Sequence, residues 1–278
     1  MEKNTKSNKL VILLLIIIIL ILVTFITLLI TNTITFNISK NNNATGDNNT
    51  NNNKVVEEEK INTFDISYTE EEVTYKSKNG YIWGRSKRNL PVIKNKNNQK
   101  SADNIATKLT KFSNDMWTQV SDPNYAIDWE IENDESWGVS YIFKTGVVTD
   151  NRLTFELPGE GSMGGVSWTS YAGYNFDAIT GELLTLEQIS NDYDIFKTFL
   201  IKEASNHIET IRDTRCINTD YQNNIEEIIV FDGNWYFQAN SLTLVFPKYS
   251  IACGAGGVIT VDIEKDKVNS YLKDEYKI

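Results

Sequence analysis

The stretch Leu153-Thr154-Phe155-Glu156-Leu157-Pro158-Gly159-Glu160-Gly161-Ser162-Met163-Gly164-Gly165-Val166-Ser167-Trp168-Thr169-Ser170-Tyr171 decides how this 278-residue chain is read. Gly159, Gly161 and Gly164 have the G-x-G-x-x-G spacing of a phosphate-binding turn, and a strand-like segment precedes them. A phosphate site also needs a helix N-terminus after the glycines, where free N–H groups converge on the anion. Here Val166 to Tyr171 is β-branched and aromatic, and no Lys-Ser/Thr pair closes a P-loop. The stretch therefore predicts two strands joined by a glycine-rich loop and argues against a nucleotide fold.

Working outward, alternation predicts strands at Val73 to Ser77, Tyr81 to Arg85 and Asn89 to Ile93. Ile105, Leu109, Phe112 and Met116 recur at helical spacing after a candidate cap, Ser101, which predicts a helix over Ala102 to Trp117. Further strands are expected at Tyr125 to Glu132, Ser136 to Phe143, Val147 to Leu157 and Val166 to Phe176, with Lys144-Thr145-Gly146 as a hairpin turn. A second helix carries Phe196, Leu200, Ala204, Ile208 and Ile211 on one stripe. Strands return at Trp235 to Gln238, Leu242 to Phe246 and Val258 to Ile263. The class is α+β, antiparallel sheets with packed helices, in a small N-terminal part (63–160) and a larger C-terminal part (161–278).

Leu10 to Ile30 holds no charge and as a helix covers roughly 30 Å of hydrocarbon. No small-residue cleavage pattern follows, so residues 10–31 read as an uncleaved anchor in the lipid bilayer. Lys3, Lys6 and Lys9 precede it and Lys40 is the next basic residue, which places the 1–9 tail in the cytoplasm and everything after the span outside. Residues 32–62, rich in Asn, bury too little apolar surface to fold and read as a tether.

The exported part carries 24 basic and 36 acidic residues, net −12. That balance argues against nucleic acid and favours a cationic partner, although solubility alone also accounts for it. Cys216 and Cys253 are the only cysteines, an even pair in an oxidising compartment. A disulfide is expected, with two buried thiols as the alternative. His207 is the only histidine and no nucleophile elbow accompanies it, so a catalytic triad and a zinc hydrolase are disfavoured. Asp192 and Asp194, or Asp262, Glu264 and Asp266, read as surface charge, since alternation puts the last three on one face and no EF-hand glycine or terminal Glu is present. No catalytic, metal or cofactor residue is expected. Trp137, Trp168 and Trp235 lie in strand candidates; core packing is their default, and a stacking platform for a sugar or a partner is the functional alternative.

Asn175-Phe176-Asp177-Ala178-Ile179-Thr180-Gly181-Glu182-Leu183-Leu184-Thr185-Leu186 resembles a strand-turn segment of a Gram-positive ectodomain family. Trp235 to Phe237, Leu242 to Ala252 with Phe246-Pro247-Lys248-Tyr249, and Gly256 to Val261 resemble its closing block. That family is the extracytoplasmic domain of RsiV-type anti-sigma factors, also found beside PdaC-type peptidoglycan deacetylases. The resemblance implies the family's ectodomain fold and envelope binding or sensing that includes lysozyme capture in some members; the chain itself is expected to be non-enzymatic. Tyr249 joins the three tryptophans as a candidate ligand contact. Two departures stand out. The family's Gly-Gly-Ala-His segment reads Gly164-Gly165-Val166-Ser167, and the short tail cannot hold a sigma-binding domain. The leading expectation is a membrane-anchored binding domain for lysozyme or another basic protein; the rival is a peptidoglycan-binding or peptidoglycan-modifying accessory protein.

Overall fold

In the computed structural model, the described residues are 63–76, 80–118, 120–121, 138–163 and 166–278. The expected anchor and tether, the strand at Tyr125 to Glu132 and Trp137 lie outside them. No described helix is long and apolar enough to cross a membrane.

The fold is α+β. The first sheet contains β1 (Phe64–Lys76), β2 (Ile82–Asn95), β3 (Gly138–Tyr141), β4 (Lys144–Val148), β5 (Arg152–Met163) and β6 (Val166–Asp177). β1 and β2 form a long antiparallel hairpin, and β5 pairs antiparallel with β3, β4 and β6. β2 and β3 are parallel, which requires the crossover that helix α1 (Gln99–Trp117) helps to supply. The stretch forms the β5–β6 hairpin and starts no helix, but Gly159 and Gly161, expected in a loop, are paired within β5 with Ser170 and Trp168. Residues 160 and 161, where the two parts were expected to divide, both lie in β5.

Three local expectations are corrected. The strands expected at Tyr81 to Arg85 and Asn89 to Ile93 are one strand, because the polar residues between them are satisfied where they stand. Arg88 bonds Glu71, Ser113 and Asn114 and lies over the Trp117 ring, and the Asn89 amide holds both the N–H and the carbonyl of Phe143. Lys144-Thr145-Gly146 is strand β4; the turn comes later, where Thr149 Oγ1 accepts from the N–H groups of Asn151 and Arg152. The cap of α1 is Asn98, which accepts from the Ser101 N–H, while Ser101 is buried and donates to the Ala178 carbonyl.

Helix α1 covers one face of this sheet through Ala102, Ile105 and Leu109, against Phe155 and Phe176 among others. The D-x-x-T-G turn docks on the same helix. Asp177 Oδ1 accepts from Ile179 N–H and from Thr180 N–H and Oγ1, Gly181 takes φ +71°, and Lys108 pairs with Glu182 at 2.7 Å. That motif is explained by folding alone, since only a residue free of Cβ strain suits such a left-handed position close to helix backbone.

The second sheet is antiparallel, β7 (Trp235–Phe237), β8 (Ser241–Phe246) and β9 (Ile259–Glu264). Helix α2 (Leu186–Ile189) is closed by a Thr185/Gln188 capping box, and Asp192 caps α3 (Tyr193–Ile211) by accepting from the Ile195 N–H. α4 (Gln222–Ile229) follows, and α5 (Lys265–Val268) trails β9. Phe196, Leu200, Ala204 and Ile208 of α3 pack with Tyr221, Ile225 and Ile229 against the second sheet, giving the larger of the two apolar clusters. The sheets meet along β6. A Cβ on Gly173 would lie 2.4 Å from the Tyr236 ring, so glycine lets that ring rest on the strand. The Arg152 guanidinium is buried there over the Phe237 ring and bonded to the Tyr276 carbonyl; burial lowers its pKa to about 10.

Candidate functional surfaces

The four residues expected to touch a ligand separate. Trp137 lies outside the described residues. Trp235 is 2% exposed and sits edge-on to Phe237 in the second core, in one apolar cluster with residues of α3 and α4, so it is a packing residue and not a contact, which corrects the expectation. Trp168 is half-buried beside Tyr141, and Tyr249 is 68% exposed.

Tyr249 belongs to a loop built to hold it. The loop after β8 is tied by Asn218 N–H to Ile251 O, Asn224 Nδ2 to Ser250 O and Cys253 N–H to Cys216 O. The Cys216–Cys253 disulfide, Cα atoms 5.6 Å apart, closes it. Among the described residues the two non-glycine positions with positive φ are Cys216 (52°) and Tyr249 (73°), both in this loop cluster. Such conformations cost about 1–3 kcal/mol each and persist where the surroundings enforce them, often at binding sites. The Tyr249 ring lies over Gly254, where a Cβ would come within 2.6 Å, and Lys248 Nζ is 5.1 Å from its centre.

The sequence reading missed Phe231, which is 67% exposed beside Val230 just past α4. Its signal was phase: Tyr221, Ile225 and Ile229 make the buried stripe, and Phe231 falls off it before the Gly233 turn. Since Asn224 touches the Tyr249 loop and α4 is about 12 Å long, the two exposed aromatics mark opposite ends of one helix. Asp220, Glu226, Glu227 and Asp232 are exposed along the same segment. Lys197 pairs with Glu226 at 2.8 Å, and partial desolvation by the neighbouring chain raises the pKa of Asp232, exposed as it is. From residue 181 onward there are 16 acidic and 9 basic residues.

The second surface is a face of the first sheet. Register places Glu72, Lys87, Ser140, Glu160 and Thr169 directly opposite one another on β1, β2, β3, β5 and β6. At about 4.8 Å between strands this polar row runs roughly 19 Å across the sheet. It floors a groove of about 700 Å³ that also holds Arg85, Ser162 and Ser167, and an adjoining hollow of about 430 Å³ reaching Lys144, Tyr171 and Val258, while Trp168, one residue out of phase, turns its indole to the other face beside Tyr141. The Trp168 indole crosses Gly161, where a Cβ would fall 2.5 Å from it. At the margin Tyr171 donates to Glu156, and burial followed by that bond drives the phenol pKa strongly upward. His207 is exposed, and no group of His, Cys, Asp or Glu among the described residues has the arrangement to hold a metal ion.

Two apolar clusters, a disulfide-tied aromatic loop and an open polar sheet face describe this α+β fold among the described residues. Residues 185–266, from the α2 cap through β9, match the family model described as a protein of unknown function (DUF3298). The chain is similar to the crystal structure of a DUF3298 family member from Bacteroides fragilis NCTC 9343, with 17% identity and TM-score 0.52 over 77% of this chain and 94% of that one. It is also similar to a DUF3298 family protein from Pseudomonas aeruginosa PAO1, with 14% identity and TM-score 0.51 over 77% and 96%. At such identities the likeness establishes the fold. No curated protein matches the chain.

Proposed function

We propose that the chain is a non-enzymatic, single-span membrane protein whose folded part stands outside the membrane and captures a cationic protein such as lysozyme. The observation that carries this reading is the pair of exposed aromatics, Tyr249 and Phe231, at the two ends of acidic α4. Aromatic anchors supply the buried centre of a protein interface, while surrounding charge steers the encounter. The uncharged 10–31 segment, the flanking lysines and the extracytoplasmic family resembled by the closing block support the topology. A disulfide suits that compartment.

Tyr249→Ala and Phe231→Ala should each weaken lysozyme binding by about tenfold, the scale of a truncated interface anchor. Alanine at 249 keeps the same backbone demand as tyrosine, and both side chains are exposed, so thermal stability should stay near wild type. Isothermal titration of the full chain in detergent checks both. Unchanged affinity in both variants would remove this surface from the account.

A further inference from the structure

We propose that α3 carries a self-association surface and that its partner is the same helix of a second copy, crossing it antiparallel about a two-fold axis at Thr198. This goes beyond the protein-capture reading and uses none of its residues. Asp194, Ile195, Thr198, Phe199, Lys202 and Tyr271 line a hollow of about 410 Å³ along the helix. Ile195 is 58% exposed, and the half-buried Phe199 and Tyr271 stack with ring centres 4.2 Å apart to form an apolar wall.

The charges select the occupant. Five charged residues lie on α3, and three are engaged within the chain: Lys197 pairs with Glu226 at 2.8 Å, Glu203 with Lys267 at 2.8 Å and Glu209 with Arg212 at 3.3 Å. The other two, Asp194 and Lys202, are exposed at the hollow and form no ion pair among the described residues. They stand about 12 Å apart along the helix axis with Thr198 midway. An antiparallel copy presents the same three residues in reverse order, so Asp194 meets the second copy's Lys202 and Lys202 meets the second copy's Asp194. A uniformly basic or uniformly acidic partner meets one of the two with like charge. Asp194, Thr198 and Lys202 also form one i, i+4, i+8 ridge, with Ile195 and Phe199 in the row beside it. Ridges of that spacing on two helices interdigitate at about −50°, the commonest crossing class, and the short Thr198 side chain sits where the helices come closest.

One crossing helix pair is small beside the roughly 1,200 Å² of a stable interface, so the dimer should be weak, with a Kd on the order of 100 μM. Sedimentation equilibrium of the full chain in density-matched detergent should show monomer and dimer. Asp194→Lys and Lys202→Asp should each weaken the dimer at least about tenfold, because the two-fold turns one substitution into two like-charge contacts. The combined Asp194→Lys, Lys202→Asp variant should return to within about threefold of wild type. Both side chains are exposed, so melting temperatures near wild type should show that the single variants are folded. Thr198→Cys, on the axis, should cross-link to itself under mild oxidation, whereas Asn206→Cys, about 12 Å further along the helix, should not. A wild type still monomeric at about 1 mM, single variants that dimerise as well as wild type, a combined variant as weak as the singles, or equal cross-linking at 206 would each overturn the assignment.

Discussion

Trp235→Ala is expected to cost about 3–5 kcal/mol of folding stability, the largest effect of any single substitution considered for this chain. The indole is enclosed by the second core, edge-on to Phe237, in one apolar cluster with residues of α3 and α4. Removing it deletes both transfer energy and packing contacts, and a three-stranded sheet pinned by two helices has little freedom to collapse into the space. Urea unfolding of the full chain in detergent should show a midpoint well below wild type, with Tyr249→Ala near wild type for contrast. A stable Trp235→Ala variant that had lost ligand binding would return this residue to the binding surface from which the structure removes it.

Breaking the Cys216–Cys253 bridge should lower stability by roughly 4 kcal/mol, because 37 residues of sequence separate its ends and the unfolded chain regains that loop's entropy. The effect is also local. The enclosed segment includes α4, the Phe231 turn, β7, β8 and the Tyr249 loop, so reduction should weaken lysozyme capture beyond what lost stability explains. Thermal unfolding and binding measured with and without a phosphine reductant check both consequences, and identical melting in the two states would contradict the structural role assigned to the bridge.

The elements legible in the sequence were those whose apolar period stood alone. The stripe Phe196, Leu200, Ala204 and Ile208 and the alternation in β9 each fix one buried face, and the structure keeps both. The break at Ser86 to Arg88 misled because a strand reads as ended where polar residues interrupt the alternation, and Arg88 and the adjoining Asn89 are both buried here. Their partners Glu71, Ser113, Asn114 and Phe143 come from elements far apart in the chain, so nothing local announces that the polar groups are satisfied. α4 was missed because eight residues carry only two buried turns of signal.

The surfaces were less legible than the fold. Aromatic content alone could not distinguish Trp235, buried, from Trp168, half-buried, since both lie in strands and differ only in what the opposite element places over them. Tyr249 was reached through a motif, whereas its exposure follows from a loop held by the disulfide and by Asn218 and Asn224. The polar row from Glu72 to Thr169 depends on register between five strands, including one parallel pair, and no period in the sequence encodes that.

Association of lysozyme with the full chain in neutral-lipid nanodiscs, followed by surface kinetics at about 0.01 M and about 0.15 M salt, tests the central claim most directly. With 36 acidic against 24 basic residues over positions 32–278, the on-rate should fall severalfold as the Debye length shortens from roughly 30 Å to roughly 8 Å. The dissociation rate should change much less, because contacts around Tyr249 and Phe231 are short-ranged. No association at low salt, or an on-rate indifferent to salt, would contradict the capture of a cationic protein by this acidic domain.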